Sequence, residues 1–322
     1  MNKYFSLDLL RVFAGIWVVA FHTTLLHESI WGISTDWFKQ FLMDGHKGVG
    51  LFFALSAFLI THSMSKRTTT PRVFLLKRSF KILPLYFTLS VFFFILTKID
   101  ALGLNSEFEF IDLFGSLFFL SQTMLSKPPV LYVGWSLEFE ILYYLIIYAI
   151  LIIGNRFDFL ILLILIFFCL FIQPIFAYFI VGLLFHHITK QQMNFNAFKS
   201  LNIIILYFGL GLCLVYINDY YLSIFLLAAG FTVHNPFKYL RPVIAQSFSF
   251  LAAATYSTYL VQVFTIPVVM KSLTYLGIDL PLGPNVLISV SFTLLVGVGF
   301  YLVIEKPAEA LLSKIVSKYQ QP

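Results

Sequence analysis

The stretch Phe80 to Thr97, FKILPLYFTLSVFFFILT, carries a single charged side chain, Lys81. A helix crossing a bilayer needs about 20 apolar residues, and this run is close to that length. Its apolar residues are continuous, without the strict alternation of a membrane barrel strand. Lipid offers backbone groups no hydrogen-bond partner, so such a run must close its own bonds as a helix. The segment before it, Ser65 to Lys81, holds Lys66, Arg67, Arg72, Lys77, Arg78 and Lys81 and no acid. That bias places it on the cytoplasmic side.

The rest of the chain has the same character. Across 322 residues, 60% are hydrophobic and only 11% charged, with a mean hydropathy of +0.90. Soluble domains carry roughly 25% charged residues. A soluble enzyme, a disordered chain and a secreted disulfide scaffold are therefore excluded, leaving an all-α integral membrane protein. Cys169 and Cys213 lie inside apolar runs and suit reduced packing. The net charge of +6 reads as the cytoplasmic bias of a membrane protein, with no nucleic-acid partner. The first apolar stretch contains Arg11 and His22, so it reads as a span and not as a cleavable signal.

Ten apolar runs follow one another. The first five are Ser6–Leu26, Lys47–Met64, Phe80–Thr97, Gly134–Ile153 and Asp158–Gln173. The second five are Pro174–Ile188, Leu201–Ile217, Tyr221–Val233, Ser247–Met270 and Asn285–Ile304. Ile111–Leu125 is apolar but short, a surface or re-entrant piece. Ten alternating spans put both termini in the cytoplasm and leave only Lys39, Lys47, Lys98, Lys127 and Lys271 outside, of 21 basic residues. Residues 1–322 read as a single transmembrane domain with no added soluble domain. The outer segment Lys98–Val133 is the expected acceptor-facing loop.

Ionisable groups inside spans are costly and mark interiors or wet cavities. Arg11 and His22 lie eleven residues apart in the first span, close to three helical turns and hence on one face, about 16 Å apart along the axis. Asp8, one turn before Arg11, is placed to pair with it. Glu140 lies about two turns into the fourth span, at a depth like that of His22. A carboxyl group there is paired or protonated, and a His22–Glu140 couple would orient an imidazole as triads do. Glu138 points to another face, at the interface. Arg78 and Lys81, three apart, could hold phosphates with Arg11, or simply anchor the cytoplasmic boundary. Ser56, near mid-membrane, could donate to a ligand or to a neighbouring carbonyl. The small residues around it suit close helix packing. The remaining histidines read as solvated or interfacial, and no metal-type His–Glu–His spacing occurs.

Taken in order, these segments resemble the membrane-bound acyltransferase-3 family, which O-acylates bacterial surface glycans. Arg11 through His22 resembles its Arg-x10-His signature, and Phe52–Leu59 its FFxLSGFL segment with Ala57 for Gly. Arg78–Pro84 resembles the RxxR-I-x-P stretch with Lys81 for the second Arg. Trp135–Glu140 resembles WSLxxE, followed by Tyr143 and Tyr144. Tyr256–Gln262 resembles SYxxYLxH, with Gln262 where His is common, and Glu305-Lys306-Pro307 the closing E-x-P.

The resemblance implies an acyl donor, usually acetyl-CoA, on the cytoplasmic side and a glycan hydroxyl outside, on exopolysaccharide, capsule, lipopolysaccharide or a lipid-linked precursor. It implies residence in the bacterial inner membrane. On that reading Arg11, Arg78 and Lys81 hold the CoA diphosphate. Ser56 polarises the thioester carbonyl. His22 acts as base or transient acyl carrier, and Glu140 orients it. The alternative is a transporter or flippase for a glycan or acyl-lipid intermediate, which intramembrane charge and ten spans would also fit.

Overall fold

The computed structural model describes residues 5–32, 37–65, 70–99, 108–153, 164–169, 173–191 and 242–319. The named elements among them are all helical. They are α1 (Phe5–Trp31), α2 (Trp37–Met43), α3 (Gly48–Ser65), α4 (Pro71–Lys98), α5 (Phe110–Leu117) and α6 (Trp135–Ile153). Then come α7 (Phe176–Gln191), α8 (Pro242–Ala253), α9 (Thr255–Tyr275), α10 (Leu282–Phe300) and α11 (Lys306–Tyr319). A 3-10 turn, Tyr132–Gly134, leads into α6, and a π turn, Tyr301–Glu305, joins α10 to α11.

Among the described residues, five segments are long and apolar enough to cross a membrane: Leu7–Trp31, Trp37–Met64, Pro71–Lys98, Tyr132–Ile152 and Leu282–Ser317. The pair α8 and α9 makes a sixth if it is one broken span. The runs expected at 201–217 and 221–233, and most of 158–173, lie outside the described residues, as does Cys213.

Three boundaries differ from the sequence reading. The third span begins at Pro71, not Phe80, so Lys77, Arg78 and Lys81 stand on the helix itself. Proline opens a helix well because its missing N–H would be unpaired there anyway. Twenty-eight residues rise about 42 Å, enough to carry these cations beyond a core of about 30 Å. The ninth run divides at Ala254 into α8 and α9. Lys81 Nζ meets the Ala253 carbonyl, one of those freed by the break, at 3.4 Å. The short stretch after Ile111 folds as α5 and a following turn.

The described chain divides into two compact units. The first holds residues 1–14, 47–71 and 146–252. Here α3 lies along α7, and a side-chain carbon on Gly182 would come within 2.0 Å of the Ala54 carbonyl oxygen. Phe53 and Phe179 stack at 4.7 Å. The small residues of the second run thus serve close helix approach, as their composition suggested.

The second unit holds residues 15–46, 72–145 and 253–322. Its core joins Val19 and Ala20 of α1 with Leu42, with Ile266 and Met270 of α9, and with Val286 and Val290 of α10. Amphipathic α11 docks Leu312 and Val316 on Val73 of α4.

Candidate functional site

In the second unit, α1 presents His22 half-buried, with the ring of Tyr132 edge-on at 5.3 Å and that of Phe21 at 5.0 Å. Its Nδ1 lies 3.0 Å from Oε1 of Gln262 on α9. The Gln262 amide has its own orientation fixed, because Nε2 donates to the Tyr259 carbonyl at 2.8 Å. An oxygen facing Nδ1 can only accept, so Nδ1 carries the hydrogen and Nε2 keeps its lone pair in the neutral ring. The arrangement yields a base with its tautomer set by a neutral carboxamide. The sequence reading gave this orienting place to Glu140. Only the unusual residue in the SYxxYLxH-like segment hinted at Gln262.

The start of α6 is locked to α9. The Tyr259 hydroxyl donates to the Val133 carbonyl at 2.8 Å and lies 2.8 Å from the Ser136 hydroxyl. Gly134 lets the Tyr86 ring close on the turn, since a side-chain carbon there would sit 2.6 Å from its hydroxyl. One turn into α6, Glu138 is buried and not interfacial. Its carboxylate accepts the backbone N–H of Gln122 at 3.1 Å and of Thr123 at 3.3 Å. Glu140 accepts the hydroxyl of Tyr144, one turn on. The Arg78 guanidinium lies over the rings of Tyr144, at 5.4 Å, and Phe74, at 5.8 Å.

Lys81 has carboxylate partners. Its ammonium meets Glu305 at 2.9 Å and Glu309 at 3.3 Å. Glu305, 1% exposed, also accepts the hydroxyl of Ser257. Three segments that the sequence reading treated separately, around Lys81, Ser257 and Glu305, thus converge on one buried carboxylate.

The expected acceptor loop is held at both ends. Asp112 accepts Lys127 Nζ at 2.9 Å and the Glu109 N–H at 2.8 Å, in a capping box. Burial alone would raise the Asp112 carboxyl, but these two donors prevail and hold it below the usual range. The hydrogen bond to Asp112 and its charge raise Lys127. The Val130 N–H reaches the Ser116 hydroxyl at 2.7 Å, just before Tyr132 packs on His22.

Arg11 and Ser56 fall in the first unit. Arg11 is half-buried on α1, and Ser56 is buried on α3. In that unit Asp8 accepts the Ser249 hydroxyl at 2.6 Å. His186, expected at an interface, is buried beside the rings of Phe58 and His62. The structure therefore assembles His22, Glu140, Arg78 and Lys81 within one unit. Among the described residues, no three His, Cys, Asp or Glu side chains gather as a metal would require.

Membrane-crossing helices carrying a tautomer-fixed histidine in one of them define an integral membrane protein equipped for proton transfer. Residues 4–304 match the family model described as an acyltransferase domain, and the chain belongs to that acyltransferase-3 family. The exopolysaccharide production protein ExoZ of Rhizobium meliloti (strain 1021) is 32% identical over 103 residues. That match covers 31% of this chain and 32% of ExoZ, so it spans about a third of that relative's length. No solved structure matches.

Proposed function

We propose that this chain is an integral membrane O-acyltransferase of the bacterial inner membrane, working as one transmembrane domain. It moves an acetyl group from cytoplasmic acetyl-CoA to a hydroxyl of an extracytoplasmic surface glycan or its lipid-linked precursor. Family membership supports acyl transfer, and the name of the ExoZ relative supports a polysaccharide acceptor. The observation that carries the mechanism is the Tyr259–Gln262–His22 chain of hydrogen bonds.

His22 Nε2 takes the proton of the acceptor hydroxyl as its oxygen attacks the thioester carbonyl. The carbon–sulfur bond breaks, and the departing thiolate recovers the proton from the imidazolium. Ester and free thiol result, with no net proton released. An acyl-histidine route uses the same nitrogen as nucleophile. Arg11 and Arg78 hold the donor phosphates, Ser56 polarises the thioester carbonyl, and Glu140 sets Tyr144 beneath Arg78. Lys81 contributes to the donor site once a phosphate displaces Glu309, the more exposed of its carboxylate partners at 44%.

The test is purified protein in proteoliposomes with labelled acetyl-CoA on one side and a crude surface-glycan fraction on the other. Label on glycan with wild type, and none with equally folded His22→Ala, supports acyl transfer through this base. No label and no CoA release by folded wild type, across several acyl-CoA donors and glycan fractions, overturns it in favour of a transporter.

A further inference from the structure

The seam between α9 and α10 holds polar atoms that have no protein partner. Asn285 and Ser289 are each 0% exposed. Asn285 Oδ1 and Nδ2 and Ser289 Oγ make no hydrogen bond. Four residues apart, they stand on one face of α10, and Thr293 continues the stripe another turn. There the polar groups are satisfied: Thr293 Oγ1 lies 2.7 Å from Thr265 Oγ1, and the Thr265 hydroxyl donates to the Val261 carbonyl at 3.2 Å. The bond between the two threonines is therefore donated by Thr293. The next residues round the helix, Val286 and Val290, are committed to the apolar core with Ile266 and Met270.

Three orphaned polar atoms in a membrane interior are costly, and buried polar groups of this kind are as a rule satisfied by something. The donor and acceptor pattern selects the occupant. The Asn285 carboxamide needs an acceptor for its N–H2 and a donor for its oxygen, and the Ser289 hydroxyl takes either. A cation would serve only the oxygens and an anion only the N–H groups. A sugar hydroxyl has the right chemistry, but it brings a ring, and these side chains have no opening to solvent. Water meets both requirements. Asn285 and Ser289 are separated by about 6 Å of helix rise, within reach of one water bonding to both at ordinary lengths.

We propose that Asn285 and Ser289 form a buried water site in the α9–α10 seam, holding one or two water molecules as permanent parts of the fold. The site lies along the same helix that carries Gln262, the partner of His22, and its occupancy does not depend on the acyl-transfer reading.

The test is X-ray hydroxyl-radical footprinting of the full chain in nanodiscs, read by mass spectrometry. Bound water is radiolysed in place and oxidises side chains beside it even where bulk solvent does not reach. The expected result is oxidation of Met270, Val286 or Val290 at least threefold above Val181 and Leu183, which are equally shielded. That signal falls to their level in the double variant Asn285→Leu, Ser289→Ala. Wild-type oxidation equal to that of Val181 and Leu183 overturns the proposal. So does a double variant that melts higher than wild type, because dry orphan groups are better removed whereas hydrated ones are not. If the variant does not fold, the wild-type comparison alone decides.

Discussion

Gln262 Oε1 stands 3.0 Å from Nδ1 of His22, across 240 positions of sequence. The contact lets a neutral residue do the orienting that a carboxylate does in other histidine-based sites. Replacing Gln262 by Leu leaves the Nδ1 hydrogen unpaired, a cost of about 1–3 kcal/mol. Turnover should fall roughly ten- to a hundredfold. His22→Ala should lose about 10²–10⁴-fold. Transfer assays at matched folded amounts check both, and an unchanged Gln262→Leu rate would remove the orienting role.

Glu140 holds Tyr144, whose ring lies under the Arg78 guanidinium. Glu140→Gln can still accept the tyrosine hydroxyl, so protein abundance should stay near wild type while turnover drops. Equal losses of both would make Glu140 structural. Tyr144→Phe should raise KM for the donor more than it lowers kcat, because the ring face remains while its anchor is gone.

Lys81 faces two carboxylates, and a phosphate reaching it must compete with them. Glu309→Gln should therefore lower KM for acyl-CoA by a few fold. The gain should shrink in high salt, which screens a partly exposed pair. Glu305→Gln should instead destabilise the protein, since Glu305 is buried and shared with Ser257. Donor titrations and thermal melts separate the two.

Glu138 ties α6 to the backbone of Gln122 and Thr123. Alanine leaves those N–H groups unmet, at about 1–3 kcal/mol each if they stay buried. Glutamine keeps an accepting oxygen and should retain most of the stability. Hydrogen exchange over residues 118–131 should rise in Glu138→Ala and stay close to wild type in Glu138→Gln.

The Asp112–Lys127 pair gives the outer loop a pH dependence of definite sign. Asp112 is held below its ordinary range, so its contribution is present above the unfolded-state value near 4 and is lost as pH falls through the lower folded value. Lys127 is raised, so its share is present below the ordinary lysine range and is lost as pH climbs through the raised value. Loop exchange should be flat around neutrality and accelerate in strong acid. Asp112→Asn should abolish that acid limb, and an unchanged limb would assign it to other groups.

Much of the fold is legible in composition alone, because lipid permits so few structures. The runs that became α1, α3 and α6 were readable within a few residues from apolar length. The start of α4 was not, since the cations of Lys77–Lys81 look like a loop although nothing there breaks a helix. The division at Ala254 has no proline or glycine to announce it, and the groups around it, such as Lys81, come from distant sequence. In the site, the value of His22 was visible as a titratable group inside a span. Its partner was not, because helical spacing reports which residues share a face but not which helices meet. Glu138 and Glu140 looked interchangeable in depth, and only tertiary contacts separate the one that ties down a loop from the one that holds a tyrosine.

The π turn at Tyr301–Glu305 sets the rotational register of everything after it. One residue removed there would tighten the turn to α and swing the remainder about 100° around its axis. Leu312 and Val316 would leave Val73, and Glu305 would leave Ser257 and Lys81, in one step. Substitutions in this short stretch can be absorbed locally, but a change in its length cannot. Among natural variants of this chain it should be a place where side chains vary and insertions or deletions are not tolerated.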